Sequence, residues 1–116
     1  MKSFRYSAKL VIYGDGKFFG PGVAQLLENV QALHSLSKAS KKMSLSFTKA
    51  LKMIKTAEEN LGFELLERQV GGRAGGGSKL TPKAKKLLAL YRNFEDEVRK
   101  DADAQFDKLL QQISEI

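Results

Sequence analysis

The spacing of apolar residues changes several times along this chain, and each change marks an element. Between Phe4 and Tyr13 a β-type alternation sets in over the second half, Leu10 and Ile12 against Val11 and Tyr13, which predicts a strand. Gly14-Asp15-Gly16 then predicts a tight turn whose glycines supply positive φ, with Lys17 to Phe19 returning as the paired strand. Gly20-Pro21-Gly22 interrupts the pattern with Pro where a first helical turn tolerates it, after which Val23, Leu26, Leu27, Val30 and Leu33 repeat at helical spacing. A second, shorter helix follows, capped by Ser35 or Ser37 and turning Leu36, Ala39, Ser40 and Met43 inward.

Met43-Ser44-Leu45 breaks the pattern, and Ser44 or Ser46 restarts it as a third helix. Phe47, Ala50, Leu51, Ile54 and Leu61 fall within about 100° of one another around that helix, while Thr48, Lys49, Lys52, Lys55, Thr56 and Glu59 take the opposite face. Gly62 ends it as a left-handed cap. Leu65 to Val70 then reads as extended and Lys79-Leu80-Thr81 as its return strand. Five glycines among residues 71–77 also have the composition of a flexible linker, but the paired flanks make them a hairpin tip carrying Arg73. Thr81-Pro82 opens a last helix with no breaker before Ile116. Its stripe of Leu87, Leu88, Tyr91, Phe94, Val98, Ala102, Phe106, Leu109, Leu110 and Ile113 is more than a small domain can cover, so it predicts pairing with a second copy.

Two helices joined by a tight break and followed by a glycine-tipped hairpin predict a fold that is mostly α with small β-hairpins (α+β): a winged helix-turn-helix with a long C-terminal dimerisation helix. The expected division is residues 1–81 as the winged helix-turn-helix DNA-binding unit and residues 82–116 as the C-terminal dimerisation helix of the same domain. A chain of 116 residues, 42% hydrophobic, has material for one modest core.

Charge adds a partner. The formal net charge is +7, and it is unevenly placed: residues 1–86 carry 16 Lys and Arg against 6 Asp and Glu, whereas residues 87–116 carry 4 against 7. A basic body of this kind attracts a polyanion, with nucleic acid ahead of an acidic membrane surface. A helix entering the major groove keeps one apolar face for its own domain and offers short polar and cationic side chains on the other, as the third helix does. Ser46, Thr48 and Lys49 in its first turns are assigned to base edges, and Lys52 and Lys55 to phosphates. Ser37, Lys38 and Lys41 (or Lys42) of the second helix would meet the backbone, and Arg73 and Lys79 of the hairpin the minor groove or a phosphate. The competing possibility is that these lysines merely solvate a face, in a winged-helix protein-interaction module that binds no DNA.

Little supports an enzyme. There is no cysteine, so no thiolate nucleophile or thiolate metal site, and His34 is the only histidine, better placed to cap a helix end than to catalyse. Glu58 and Glu59 diverge by about 100° on their helix and are expected to be solvated. A phosphate-binding loop is set aside because Gly77-Ser78-Lys79 is not in the required order, and Phe stands where a dinucleotide fingerprint based on Gly14 needs its third glycine. No catalytic residue, metal or cofactor is expected. The N-terminus lacks the pattern of a secretion signal and the longest apolar run, Leu87 to Tyr91, is too short to span a bilayer, so a cytoplasmic protein is expected.

The order Gly20-Pro21-Gly22, Leu26-Leu27-Glu28, His34-Ser35-Leu36-Ser37-Lys38-Ala39, Ser46-Phe47-Thr48-Lys49-Ala50-Leu51, the glycines around Arg73, and Leu80-Thr81 resembles the N-terminal DNA-binding domain of ModE-type, molybdate-dependent transcriptional regulators. That domain is itself similar to the LysR-type winged helix, whose pattern at the wing's entrance Leu61-Gly62 and Leu65-Leu66-Glu67-Arg68 resemble. The resemblance covers about residues 4–95. It implies a homodimeric, sequence-specific regulator of double-stranded DNA that pairs through its terminal helix, with Ser46 to Leu51 opening the recognition helix and Arg73 as the wing's cation; the apolar stripe of that helix offers Leu87, Tyr91, Phe94, Val98, Phe106, Leu109 and Ile113 for the dimer seam. Relative to that pattern, His34 stands for a common Gly, Phe47 for Tyr, Thr48 for Lys, Leu51 for Trp and Ala84 for Gly. The stretch from Glu95 to Ile116 is expected to finish one helix, not to build an oxyanion-binding module, so no molybdate-binding module is expected in this chain.

Overall fold

The structure, a computed structural model, describes residues 2–69 and 77–116, so that Arg73 and most of the glycine tip lie outside the described residues. The element order is β1 (Ile12–Tyr13), β2 (Lys17–Phe19), α1 (Pro21–Leu33), α2 (Leu36–Lys42), α3 (Phe47–Leu61), β3 (Leu66–Gln69), β4 (Gly77–Leu80) and α4 (Pro82–Ser114). Each strand pair is an antiparallel hairpin, β1 with β2 and β3 with β4.

The first hairpin is shorter than the alternation implies. Its ladder holds only Ile12 opposite Phe19 and Tyr13 opposite Lys17, with a register shift between them. Nor do its glycines supply positive φ: among described glycines only Gly62 has it, at 80°. Gly14 is needed for space instead, because a Cβ there would run into the Asn60 side chain, which also accepts the Asp15 N–H at 3.3 Å. The chain before Ile12 is outside any ladder and runs beside α4.

The helix ends follow local chemistry. Gly20 precedes Pro21, which sits in the first turn of α1, and His34 closes that helix in the left-handed region (φ 56°) with its N–H on the Val30 carbonyl at 2.7 Å. Of the two serines able to cap α2, Ser35 does so, its Oγ accepting the Lys38 N–H at 3.1 Å. Ser46 caps α3 through the Lys49 N–H at 3.0 Å, while Ser44 takes the left-handed bend between the helices. Ser40 is buried because its hydroxyl donates back to the Leu36 carbonyl at 2.6 Å, satisfying it inside the core. β4 begins two residues earlier than the pattern suggests and stops before Thr81, whose Oγ1 accepts the Ala84 N–H at 3.0 Å to start α4.

The core is a layer of α1, α2 and α3 closed by Phe19, Leu65, Leu80 and the first turns of α4. Ala24, Ala39, Ala50, Ala57 and Ala84 are fully buried, letting helices and strands approach closely around Leu26, Leu27, Val30 and Ile54. Each such leucine or isoleucine contributes roughly 1.5–3 kcal/mol by leaving water. Phe47 departs from the expected inward stripe and is 45% exposed, since it opens α3 ahead of the point where that helix meets the body. Glu58 also departs from expectation. Its carboxylate is not merely solvated but accepts the Leu65 N–H at 2.7 Å, tying the end of α3 to the start of the wing. Thirty-three residues of α4 make a rod of about 50 Å, and the molecule is correspondingly long, 64 × 31 × 22 Å.

Candidate nucleic-acid interface

Capping by Ser46 sets the phase of α3. Once Ala50, Ile54 and Ala57 are fixed inward, Thr48, Lys49, Lys52 and Lys55 must emerge on the opposite side, and all four are exposed. The Ser46 hydroxyl is itself exposed, yet its oxygen already accepts the Lys49 amide, leaving its proton free to donate outward. On α2, Ser37, Lys38, Lys41 and Lys42 are exposed as well, with Lys41 and Lys42 in the last turn, where the helix dipole favours cations. The tight bend through Met43, Ser44 and Leu45 is closed by the Ser44 N–H on Lys41 and the Leu45 N–H on Ser40, at 3.0 and 2.9 Å, so the two cationic helices are held in one unit.

The β4 side of the hairpin is tied to the end of α1 and to the residue that leads into β3. Ser78 N–H donates to the His34 carbonyl at 3.0 Å, and Thr81 N–H to the Leu65 carbonyl at 3.0 Å. Between α2, α3 and the hairpin lies an open groove of about 780 Å³, bordered by Ser35, Ser37, Phe47, Leu51, Leu66 and Ser78. Of the residues assigned to base edges and phosphates, this groove takes in Ser37 and Lys55, together with Glu58, Glu64 and Glu67; Lys38, Lys41, Ser46, Thr48, Lys49 and Lys52 are exposed on α2 and α3 outside it, and Lys79 is exposed on the hairpin.

Their electrostatic state is not uniform. Lys79 lies 3.6 Å from Glu67, and Lys55 lies 3.9 Å from Glu58, so each carries a nearby carboxylate. Among the described residues Lys38, Lys41, Lys42, Lys49 and Lys52 make no such ion pair, and their charge faces solvent. Among the described residues no cluster of three or more His, Asp or Glu could hold a metal ion, and no helix is long and apolar enough to cross a membrane.

The residues assigned to the seam divide into three groups. Tyr91 lies in the protomer's own core, its ring 5.0 Å from Phe19 and its hydroxyl donating to the Leu10 carbonyl at 2.8 Å. Leu87 packs against that core, and Val98 and Phe106 are half-buried, Phe106 against Tyr6 at 4.9 Å. Phe94, Leu109 and Ile113 are exposed, and so is Leu90, which the three- and four-residue spacing from Leu87 and Phe94 marks out.

No family model matches the chain. Among curated proteins it is 29% identical over 117 residues to "Molybdenum transport protein ModE" of Azotobacter vinelandii, covering 100% of this chain and 42% of that one. It is 35% identical over 74 residues to "Transcriptional regulator ModE" of Haemophilus influenzae, covering 64% of this chain and 29% of that one. The chain thus spans less than half the length of these relatives. Among solved structures it is similar to the CbnR DNA-binding domain in its DNA complex, at TM-score 0.57 and 21% identity over 72% of this chain and 91% of that one. The BenM DNA-binding domain on benA site 1 DNA gives TM-score 0.54 and 24% identity over 72% and 89%. The helix break and the hairpin agree with both comparisons: the chain is similar in sequence to ModE proteins over the aligned stretch, and its fold is a ModE-like winged helix.

Proposed function

We propose that this protein is a transcriptional regulator that binds double-stranded DNA by sequence as a homodimer in the cytoplasm, without catalysis. One observation carries the reading: Thr48, Lys49 and Lys52 form an outward polar and cationic face on a helix whose other face is locked into the core, with exposed lysines of α2 beside it. This is the surface a recognition helix needs in the major groove. Ser46, Thr48 and Lys49 read base edges. Ser37, Lys38, Lys41, Lys52 and Lys55 hold phosphates, and Lys79 with Arg73 serves the wing. Names of the relatives and of the DNA-bound structural neighbours support the same reading.

Residues 1–81 act as the reading unit and 82–116 as the pairing helix. Leu90, Phe94, Leu109 and Ile113 are large apolar side chains left exposed on α4, and burying them against a second copy would place two recognition helices about 34 Å apart, one duplex turn, or a multiple of it. Selection from a random duplex library, followed by anisotropy titration at several salt concentrations, tests the proposal. Enrichment of paired half-sites, with log affinity falling linearly in log salt, is the expected result. Equal affinity for selected and scrambled duplexes, or no binding at low salt, would favour the protein-interaction module instead. Phe94→Glu should convert dimer to monomer in sedimentation, and an unchanged mass would remove α4 from the seam.

A further inference from the structure

Beyond Glu95, α4 leaves the body of the protein. Val98, Ala102 and Phe106, spaced by four residues along it, are nevertheless half-buried. The cover is the amino-terminal arm: Tyr6, Ala8 and Leu10 face Val98, Ala102 and Asp103 across a cleft of about 320 Å³. Tyr6 makes the firmest contact. Its ring lies 4.9 Å from that of Phe106 at an interplanar angle of 57°, and its hydroxyl donates to the Asp103 carboxylate. Charge supports the same docking, because residues 2–11 carry Lys2, Arg5 and Lys9 and no acid, whereas this half of α4 carries six acids against Arg99, Lys100 and Lys108; Glu95, Asp96 and Glu97 are paired within α4, which leaves Asp101, Asp103 and Asp107 to face the arm's cations.

We propose that the arm is a strap and that Tyr6 is a positioning residue, which by gripping Phe106 and Asp103 fixes the direction of α4 and so the half-site spacing that a dimer accepts. The inference rests on the DNA-binding reading above. Its physical basis is leverage. From Glu95 to Ile113 the helix rises about 27 Å, so a tilt of about 10° displaces its end by about 5 Å. That exceeds the roughly 3.4 Å rise of one base pair along the duplex, and each base pair gained or lost also turns the groove by about 35°. A projecting helix with one side gripped along Val98, Ala102 and Phe106 tilts less than one held only at its base.

The test uses the full chain and a duplex library in which two randomised half-sites are separated by spacers of every length from zero to twelve base pairs. Wild type should enrich a single spacer length. Tyr6→Ala should enrich the same half-site sequence over at least three adjacent spacer lengths, and amides of residues 96–106 should exchange at least tenfold faster. Tyr6→Phe, which keeps the ring on Phe106 and loses only the hydroxyl, should stay within one base pair of wild type. A single wild-type spacer retained by Tyr6→Ala and by a chain lacking residues 2–9 would overturn the strap while leaving DNA binding intact. Failure of wild type to enrich any paired half-sites would instead overturn the DNA-binding reading, and the strap's role in spacing with it.

Discussion

Arg92 of α4 and Glu28 of α1 meet side by side, Nε on Oε2 at 3.1 Å and Nη2 on Oε1 at 2.5 Å, with Nη1 also reaching Glu95 at 2.6 Å. This fork is the charged counterpart of the apolar anchor made by Leu88 and Tyr91, and together they dock the base of the long helix. Hydrogen bonding to Glu28 holds the Arg92 guanidinium above its ordinary pKa, against the opposing effect of burial. The side chains are about a third exposed, so solvent screens much of the attraction. A double-mutant cycle of Glu28→Gln and Arg92→Leu in urea unfolding should give a coupling of about 1 kcal/mol, with Arg92→Leu the costlier single change because it leaves two carboxylates facing each other. Zero coupling would show that the fork docks nothing.

Tyr91 makes stability depend on alkaline pH. Burial, with the Glu95 carboxylate adding to it, pushes its phenol up to about 12 from an ordinary value of 10. The folded state thus favours the neutral phenol, and the contribution is fully present below about pH 10 and lost as pH rises through about 12. Tyr91→Phe forfeits the hydrogen bond to Leu10, about 1 kcal/mol at pH 8, but cannot ionise. The stability gap between wild type and variant should therefore swing by roughly 2–3 kcal/mol toward the variant between pH 9 and 12. A constant gap would contradict a buried neutral phenol.

His34 closes α1 at φ 56° with an exposed side chain, which is where glycine serves without steric strain. Its carbonyl, not its imidazole, does the structural work by accepting the Ser78 N–H. His34→Gly should therefore stabilise by up to about 1 kcal/mol, the relief of left-handed strain less the added chain entropy. His34→Val should destabilise by about 1–2 kcal/mol, because a β-branched residue suits that region least. Thermal unfolding of both variants checks the pair, and opposite signs are the required outcome.

The sequence was most legible where one local force sets the outcome. Helical spacing in α1 and α3, Pro21 and Pro82 at first turns, and Gly62 at φ 80° are read from residues within a turn of one another. Choices between near-equivalent neighbours needed the fold: Ser35 over Ser37 and Ser46 over Ser44 depend on where the packed helices begin. Long-range pairings left less trace. Nothing near Tyr91 foretells the Leu10 carbonyl 81 residues away, and nothing in Glu58-Glu59 tells that one carboxylate binds Leu65 while the other stays in water. The apolar stripe of α4 was visible, but its period could not show that Tyr91 belongs to the core and Phe106 to the arm.

Lys49 and Lys52 separate the two tasks assigned to the α3 face. Lys49 stands in the first turn, its amide held by Ser46, so its backbone is fixed at the end of the helix that the proposed reading puts deepest in the groove. Lys52 emerges one turn later on the same face, exposed and without a carboxylate within 4 Å among the described residues. Lys49→Ala should cost about 1–3 kcal/mol on the selected duplex and much less on scrambled ones, relaxing sequence preference. Lys52→Ala should weaken all duplexes alike and shallow the slope of log affinity against log salt by about one unit. The caps keep α3 intact in both variants, so circular dichroism should be unchanged and the difference assignable to contact alone. If the two titrations fall on each other at every salt concentration, the division between base reading and phosphate holding is wrong, and α3 meets DNA only as a uniform charge.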